Sequence, residues 1–227
     1  MRLSLLSLPF AFLGFLSLNT FAKDGDDIVN LPARDWGAKS WIQTGRPLDF
    51  ASLKGEVLLV RFWTDQCPWC KSTAPALEEF HEKYKDRGLV VVGMYTPKPP
   101  REVKPEEAAE FAKKFGIRFP VALDNDWATL KAWWLEPGGR QIKRNYTSVS
   151  FLIDRQGMIR KIHPGPEFFP SDDPEHAKPN RDYLDMKAAV EKLLDEPAPP
   201  PAVAVDPPPA EKPAPKSPEP ATPDPPK

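Results

Sequence analysis

Trp63-Thr64-Asp65-Gln66-Cys67-Pro68-Trp69-Cys70 holds both cysteines of the 227-residue chain. The apolar run Val57-Leu58-Leu59-Val60 precedes it and a helically spaced pattern follows. A strand that delivers Cys-x-x-Cys to the start of a helix is a layout for thiol–disulfide redox chemistry. Residues three apart on a helix share a face, so the two sulfurs can meet and bond. Cys67 falls at the N-cap and Pro68 at the first helical position, where a missing N–H costs nothing. Free N–H groups and the positive end of the helix dipole then favour thiolate at Cys67. Such sites lower a cysteine pKa from about 8.5 to roughly 3.5–7.5. Cys70, one turn further in, is the resolving thiol, which makes Cys67 and Cys70 the catalytic pair.

Other readings of the pair are weaker. A structural disulfide closing so short a loop removes little chain entropy. A zinc site needs two more ligands, and the chain offers only His81, His163 and His176. No metal and no cofactor are therefore expected. A peroxidase of the same architecture would use the motif Pro-x-x-x-Thr-x-x-Cys; Thr64 fits it, but Val60 stands where the proline belongs. A copper or zinc chaperone would draw on Cys67, Cys70 and His163, without support from any Met- or His-rich stretch.

With 31 basic and 32 acidic residues the net charge is -1. This balance argues against nucleic acid or an anionic membrane surface as a partner. Arg2 followed by the apolar run from Leu3 to Leu18, then Thr20-Phe21-Ala22, has the pattern of a signal peptide over residues 1–22, with Lys23 as the first mature residue. Secretion across the inner membrane to the periplasm follows; the alternative is an uncleaved anchor, though the run hardly reaches the length of a spanning helix. An oxidising destination gives a paired Cys-x-x-Cys work to do.

Four segments are expected: the signal peptide, a mobile polar lead-in over 23–35, a domain over 36–195, and a tail over 196–227. Fourteen of the 30 prolines fall between Pro197 and Pro226, and aromatics vanish there. Such a tail lacks the apolar surface to fold and reads as a disordered spacer whose partner is unknown.

Within the domain, Trp36 to Phe50 read as a short hairpin or extended lead-in. Val57–Trp63 and Leu89–Tyr95 read as buried strands of an α/β sheet. Arg61 interrupts the first of them and calls for a partner, which a structural salt bridge would supply. The Cys67 helix runs to about Asp86 with a kink at Pro75, and Arg87-Gly88 ends it. Thr96-Pro97-Lys98-Pro99-Pro100 is a loop at the active end of the sheet. A helix opens at Pro105 and stops at Gly116. Phe119–Leu123 is a short strand, and Asp126 caps a helix on which Trp127, Leu130 and Trp134 share a face. Val149–Ile153 and Met158–Ile162 form a hairpin. Pro164–Pro179 is a loop, and Arg181–Leu194 a closing helix.

This order resembles the thioredoxin fold, in its TlpA/ResA-type branch. The resemblance rests on Leu59-Val60-Arg61-Phe62-Trp63-Thr64 leading into Cys67-Pro68-Trp69-Cys70, on Phe119-Pro120-Val121-Ala122-Leu123-Asp124, and on Phe151-Leu152-Ile153-Asp154 with Gly157. Trp41-Ile42-Gln43-Thr44-Gly45-Arg46-Pro47-Leu48 is most similar to redoxin domains of the DipZ type. The resemblance implies a central mixed sheet flanked by helices, with an N-terminal hairpin extension and an inserted helix and strand. It implies thiol–disulfide exchange with protein thiols and disulfides, and electrons from a thiol carrier, possibly in the membrane. It also implies substrate docking against Pro68, Trp69, Ser148 and Val149.

The departures are informative. Ser148 stands where such proteins carry a cis-proline, and a cis bond to a non-proline residue costs about 2.5–4 kcal/mol, so a trans or strained bond is expected. Arg61 replaces a buried acid that handles the resolving thiol's proton. Thr73 occupies the position of a ResA-type glutamate. Trp69 is expected to be exposed for partners or packed on the loop around Pro97.

Overall fold

The computed structural model describes residues 24–165 and 167–197. The signal-peptide pattern and all but the first two residues of the Pro-rich segment lie outside them. The elements run β1 (Trp41–Ile42), β2 (Val57–Trp63), α1 (Pro68–Tyr84), β3 (Leu89–Tyr95), α2 (Pro105–Phe115), β4 (Val121–Leu123), α3 (Ala128–Leu130), β5 (Val149–Ile153), β6 (Ile159–Pro164) and α4 (Ala177–Asp195). The strands form one sheet in the order β1-β4-β3-β2-β5-β6. β2, β3 and β4 are parallel to one another, while β1, β5 and β6 join antiparallel. No helix among the described residues is long and apolar enough to cross a membrane.

β2 is buried at every position, because both faces of the sheet are covered. Strand residues alternate between the faces. Val57, Leu59 and Trp63 join Leu77, Phe80, Tyr84, Met186 and Val190 in the core beneath α1 and α4. Leu58, Val60 and Phe62 join Val149, Phe151, Trp133 and Trp36 on the opposite face. By this alternation Arg61 belongs to the α1/α4 face, the face of Cys70.

Several elements differ from expectation for local reasons. The α1 helix runs through Pro75 without a break and passes into a 3₁₀ turn over Lys85–Arg87. Gly88 stops it with φ 91°, a conformation that costs glycine little. β4 loses Phe119 and Pro120 from the expected strand; Glu78 instead accepts the N–H groups of Arg118 and Phe119. α3 is one short turn followed by a π-helical turn over Lys131–Leu135, and Trp127 precedes it with φ 63°. Its cap is shared: Asp126 accepts from Ala128, while Asp124 accepts from Thr129 and Leu130. α4 begins four residues early, with Pro179 inside its first turn, where the missing N–H is harmless. Between Trp36 and Phe50 the described chain makes a lead-in rather than a hairpin: β1 pairs with distant β4.

Residues 24–33, expected as a mobile lead-in, instead pack on the domain. Ile28 is buried in the core. Asn30 donates to Ile159 and Ala33 to Gly157, and Asp24 and Asp27 both pair with Arg144. The polar composition concealed one apolar anchor and a distant cation.

Candidate active site

β2 ends at Trp63 and hands the chain to the turn 64–67, which α1 follows. Asp65 is held from the neighbouring strand by the Tyr95 hydroxyl, 2.8 Å away. Cys67 is the N-cap of α1 in an extended conformation, Pro68 is the first helical residue, and the Cys70 backbone N–H donates to Cys67 Sγ at 3.1 Å. Cys67 is half-buried, and Cys70 is buried at 4% exposure. Both are free thiols, so this is the dithiol form.

Ser148 closes the site from the start of β5. Its Oγ lies 3.1 Å from Cys70 Sγ and 3.7 Å from Cys67 Sγ. The peptide bond before it is trans; among the described residues the one cis bond precedes Pro99. A groove of about 600 Å³ opens beside Cys67, lined on one side by Pro68 and Trp69 and on the other by Arg144 to Ser148, with Lys98 at its rim. Trp69 is 47% exposed. The loop around Pro97 is sealed instead by Trp127, whose indole N–H donates to the Pro97 carbonyl.

Val149 does not line this groove. It is fully buried on the far face of the sheet with Phe62 and Phe151. Its expected role in substrate docking is corrected on that ground: Ser148 and Ser150 face the cysteine side, and strand alternation turns Val149 away. A smaller apolar hollow of about 270 Å³, between residues 28–34 and 132–140, shares no residue with the groove.

The electrostatics refine the expectation for the thiols. The two thiols act on one another and titrate as a pair. Cys70 is brought down to about 6, first by the hydrogen bond from the Cys67 thiol; burial opposes this, and the Arg61 charge, Ser148 and Thr64 add to it. Cys67 is pushed up, because it is the thiol that donates to its partner and because it is partly desolvated. In the dithiol form the first proton lost therefore belongs to the pair rather than to either sulfur.

Arg61 is 1% exposed and donates to Ser150 Oγ at 3.2 Å and to the Gly165 carbonyl at 3.4 Å. Ser150 faces His163 across the β5–β6 pair. His163 bonds Asp182 on α4 at 3.1 Å, and burial, with the Arg61 charge behind it, lowers it to about 4. Thr73 donates to the Trp69 carbonyl and accepts from the Phe168 N–H, so it fastens α1 to the loop before α4.

Two alternatives lose ground on this geometry. The Thr64 hydroxyl, which peroxidase chemistry needs at the sulfur, donates to Asp65. His163 is engaged by Asp182, and among the described residues no group of three or more His, Cys, Asp or Glu side chains is placed to hold a metal ion.

Sequence reasoning missed what supports the far wall of the groove. Arg144 pairs with Asp24 and Asp27 and stacks on Trp134, 4.1 Å from the ring centre. The Trp134 indole N–H donates to the Tyr146 carbonyl at 2.6 Å. The partners lie 10 to 120 residues away in the chain, so no local pattern signals them.

Residues 29–177 match the Redoxin family. Over 128 residues the chain is 35% identical to protein DipZ of Mycobacterium bovis; the match covers 56% of this chain but only 17% of DipZ. It is 25% identical to the thiol-disulfide oxidoreductase ResA of Halalkalibacterium halodurans over 171 residues, covering 73% of this chain and 85% of that one. A crystal structure of the thioredoxin-like superfamily protein SPOA0173 superimposes with a TM-score of 0.54 at 22% identity, covering 74% of this chain and 99% of the other. The fold is thus thioredoxin-like, and this chain, with its cysteine pair at the tip of α1, belongs to the redoxin family.

Proposed function

We propose that this protein is a thiol–disulfide oxidoreductase acting on exported proteins through Cys67 and Cys70. The observation that carries this reading is the pair itself: an accessible N-cap sulfur that receives the Cys70 N–H, with a second sulfur buried behind it.

Exchange begins when the pair loses its first proton and the charge falls on Cys67, the sulfur that opens on the groove. There the helix N-terminus and the Cys70 N–H stabilise it. Cys67 thiolate attacks a substrate disulfide, a mixed disulfide forms, and one substrate sulfur leaves as thiolate. Cys70 then attacks Cys67 Sγ, releases the second substrate sulfur and closes the Cys67–Cys70 bond. The reverse sequence oxidises substrates. Pro68, Trp69 and Ser148 form the surface that receives the substrate chain. A thiol carrier, possibly in the membrane, completes the cycle. The signal-like residues 1–22 support export to the periplasm, where such exchange needs an enzyme.

The test is turnover of a protein disulfide by the full chain in the presence of a reducing thiol. Cys67→Ala should abolish it. Full activity in that variant would reject the mechanism.

A further inference from the structure

We propose that Tyr146 is a specificity-determining residue: with Trp69 it forms a two-sided aromatic clamp beside Cys67 that receives the apolar side chains flanking a substrate's reacting cysteine. The inference rests on the exchange reading above and adds to it a class of substrate segment.

Large apolar side chains left in water are informative when they gather in one place. Among the described residues four are exposed: Leu31, Trp69, Tyr146 and Leu184. Two of the four, Trp69 at 47% and Tyr146 at 39%, line the groove that opens on Cys67. They belong to different walls, Trp69 to the first turn of α1 and Tyr146 to the segment before β5. Each offers a large, rigid contact surface with only two side-chain torsions to fix. Each also pairs well with an aromatic or apolar guest.

Tyr146 is held in place before any substrate arrives. Its carbonyl accepts the Trp134 indole N–H at 2.6 Å, and Trp134 is fully buried. Arg144 braces the same stretch. It lies against the Trp134 ring and donates to the Trp134 carbonyl at 3.1 Å. Asp24 and Asp27 pair with its two terminal nitrogens at 2.9 and 2.8 Å. The Tyr146 ring lies along Gly165, where a Cβ would come within 3.4 Å of it. A wall fixed in this way loses little freedom on binding, which favours affinity. The two carboxylates also answer the Arg144 charge, so this wall offers the substrate an aromatic ring rather than a bare cation.

Ser148 is anchored separately, by the Gly165 N–H on its carbonyl, and its hydroxyl meets the sulfurs. The two neighbours therefore divide the work. Ser148 acts on the charge at sulfur, and Tyr146 on which segment docks.

The test uses the full chain in its reduced form and two synthetic peptides, each a disulfide-linked dimer through a single cysteine. One peptide carries phenylalanine on both sides of its cysteine, and the other carries serine. The oxidation rate of the protein is followed against peptide concentration, giving a limiting rate and a half-saturating concentration. Each result is divided by the rate of dithiothreitol with the same peptide, which removes the peptide's own reactivity. One aromatic contact is worth about threefold and two about tenfold. The unaltered protein should therefore prefer the phenylalanine peptide about tenfold, chiefly through a lower half-saturating concentration. Tyr146→Ala should cut the preference to about threefold or less, and Tyr146→Phe should keep it. A merely structural role would slow both peptides alike and leave the ratio unmoved. An undiminished preference in Tyr146→Ala would overturn the inference. Equal exchange of the two peptides by the unaltered protein, which needs no variant to fold, would overturn it while the exchange reading stands. Failure of the unaltered protein to exchange either peptide would reject the functional reading and the clamp with it.

Discussion

The Ser148 hydroxyl lies 3.1 Å from the Cys70 sulfur and 3.7 Å from that of Cys67. A serine at the mouth of β5 therefore supplies a donor that a proline at this position could not. It stabilises whichever sulfur carries the charge and leaves the backbone before it trans. This hydroxyl and the tip of α1 approach the sulfur pair from two sides.

Removing the donor should cost the thiolate a charge-assisted hydrogen bond, worth about 1.5–3 kcal/mol. Ser148→Ala is expected to raise the first thiol ionisation by about one to two units. The check is thiolate absorbance against pH in the reduced protein. An unchanged midpoint would show that the hydroxyl does not donate to sulfur.

Trp69 is 47% exposed beside Cys67 and makes no described hydrogen bond through its indole. Trp69→Ala should leave the unfolding free energy within about 0.5 kcal/mol of the parent. Exchange with a folded protein substrate should slow, while exchange with a small-molecule disulfide is preserved. Equal losses on both substrates would assign Trp69 to the pair's chemistry rather than to the docking surface.

His163 ties stability to pH. Its folded pKa is lowered to about 4, first by burial, against an ordinary value near 6.5. Between these values the unfolded chain binds the proton and the folded one does not, so stability rises with pH. The contribution is complete above pH 6.5 and is lost as pH falls towards 4, about 3 kcal/mol in all. Denaturant unfolding at several pH values should show this decline, and His163→Gln should flatten it in that window. A decline of the same size in His163→Gln would point to other groups.

The fold was legible where local chemistry decides it. The buried strand before the cysteines, the Pro68 helix start and the Gly88 and Gly116 stops follow from short-range rules. So does the hairpin turn at Gly157. Cys67 and Cys70 were legible for the same reason, since their spacing is their mechanism. What was hidden depends on distant partners. Ile28 and the Asp24–Arg144 pair anchor a segment whose composition reads as free chain. Val149 was placed at the groove by position in the sequence, but its side chain follows the alternation of β5 into the opposite core. The contact of Ser148 with Cys70 joins residues 78 apart in the chain, so no local pattern signals it.

The most direct test of the central claim traps the covalent intermediate. In Cys70→Ala the buried sulfur that resolves the mixed disulfide is gone, while Cys67 still opens on the groove. Incubated with a disulfide-bonded protein and analysed by mass spectrometry without reduction, this variant should accumulate a stable adduct through Cys67. Cys67→Ala should form none, because its remaining thiol is buried. Adducts formed equally by Cys67→Ala through Cys70, or the absence of any adduct with Cys70→Ala, would contradict the division of labour between the two sulfurs.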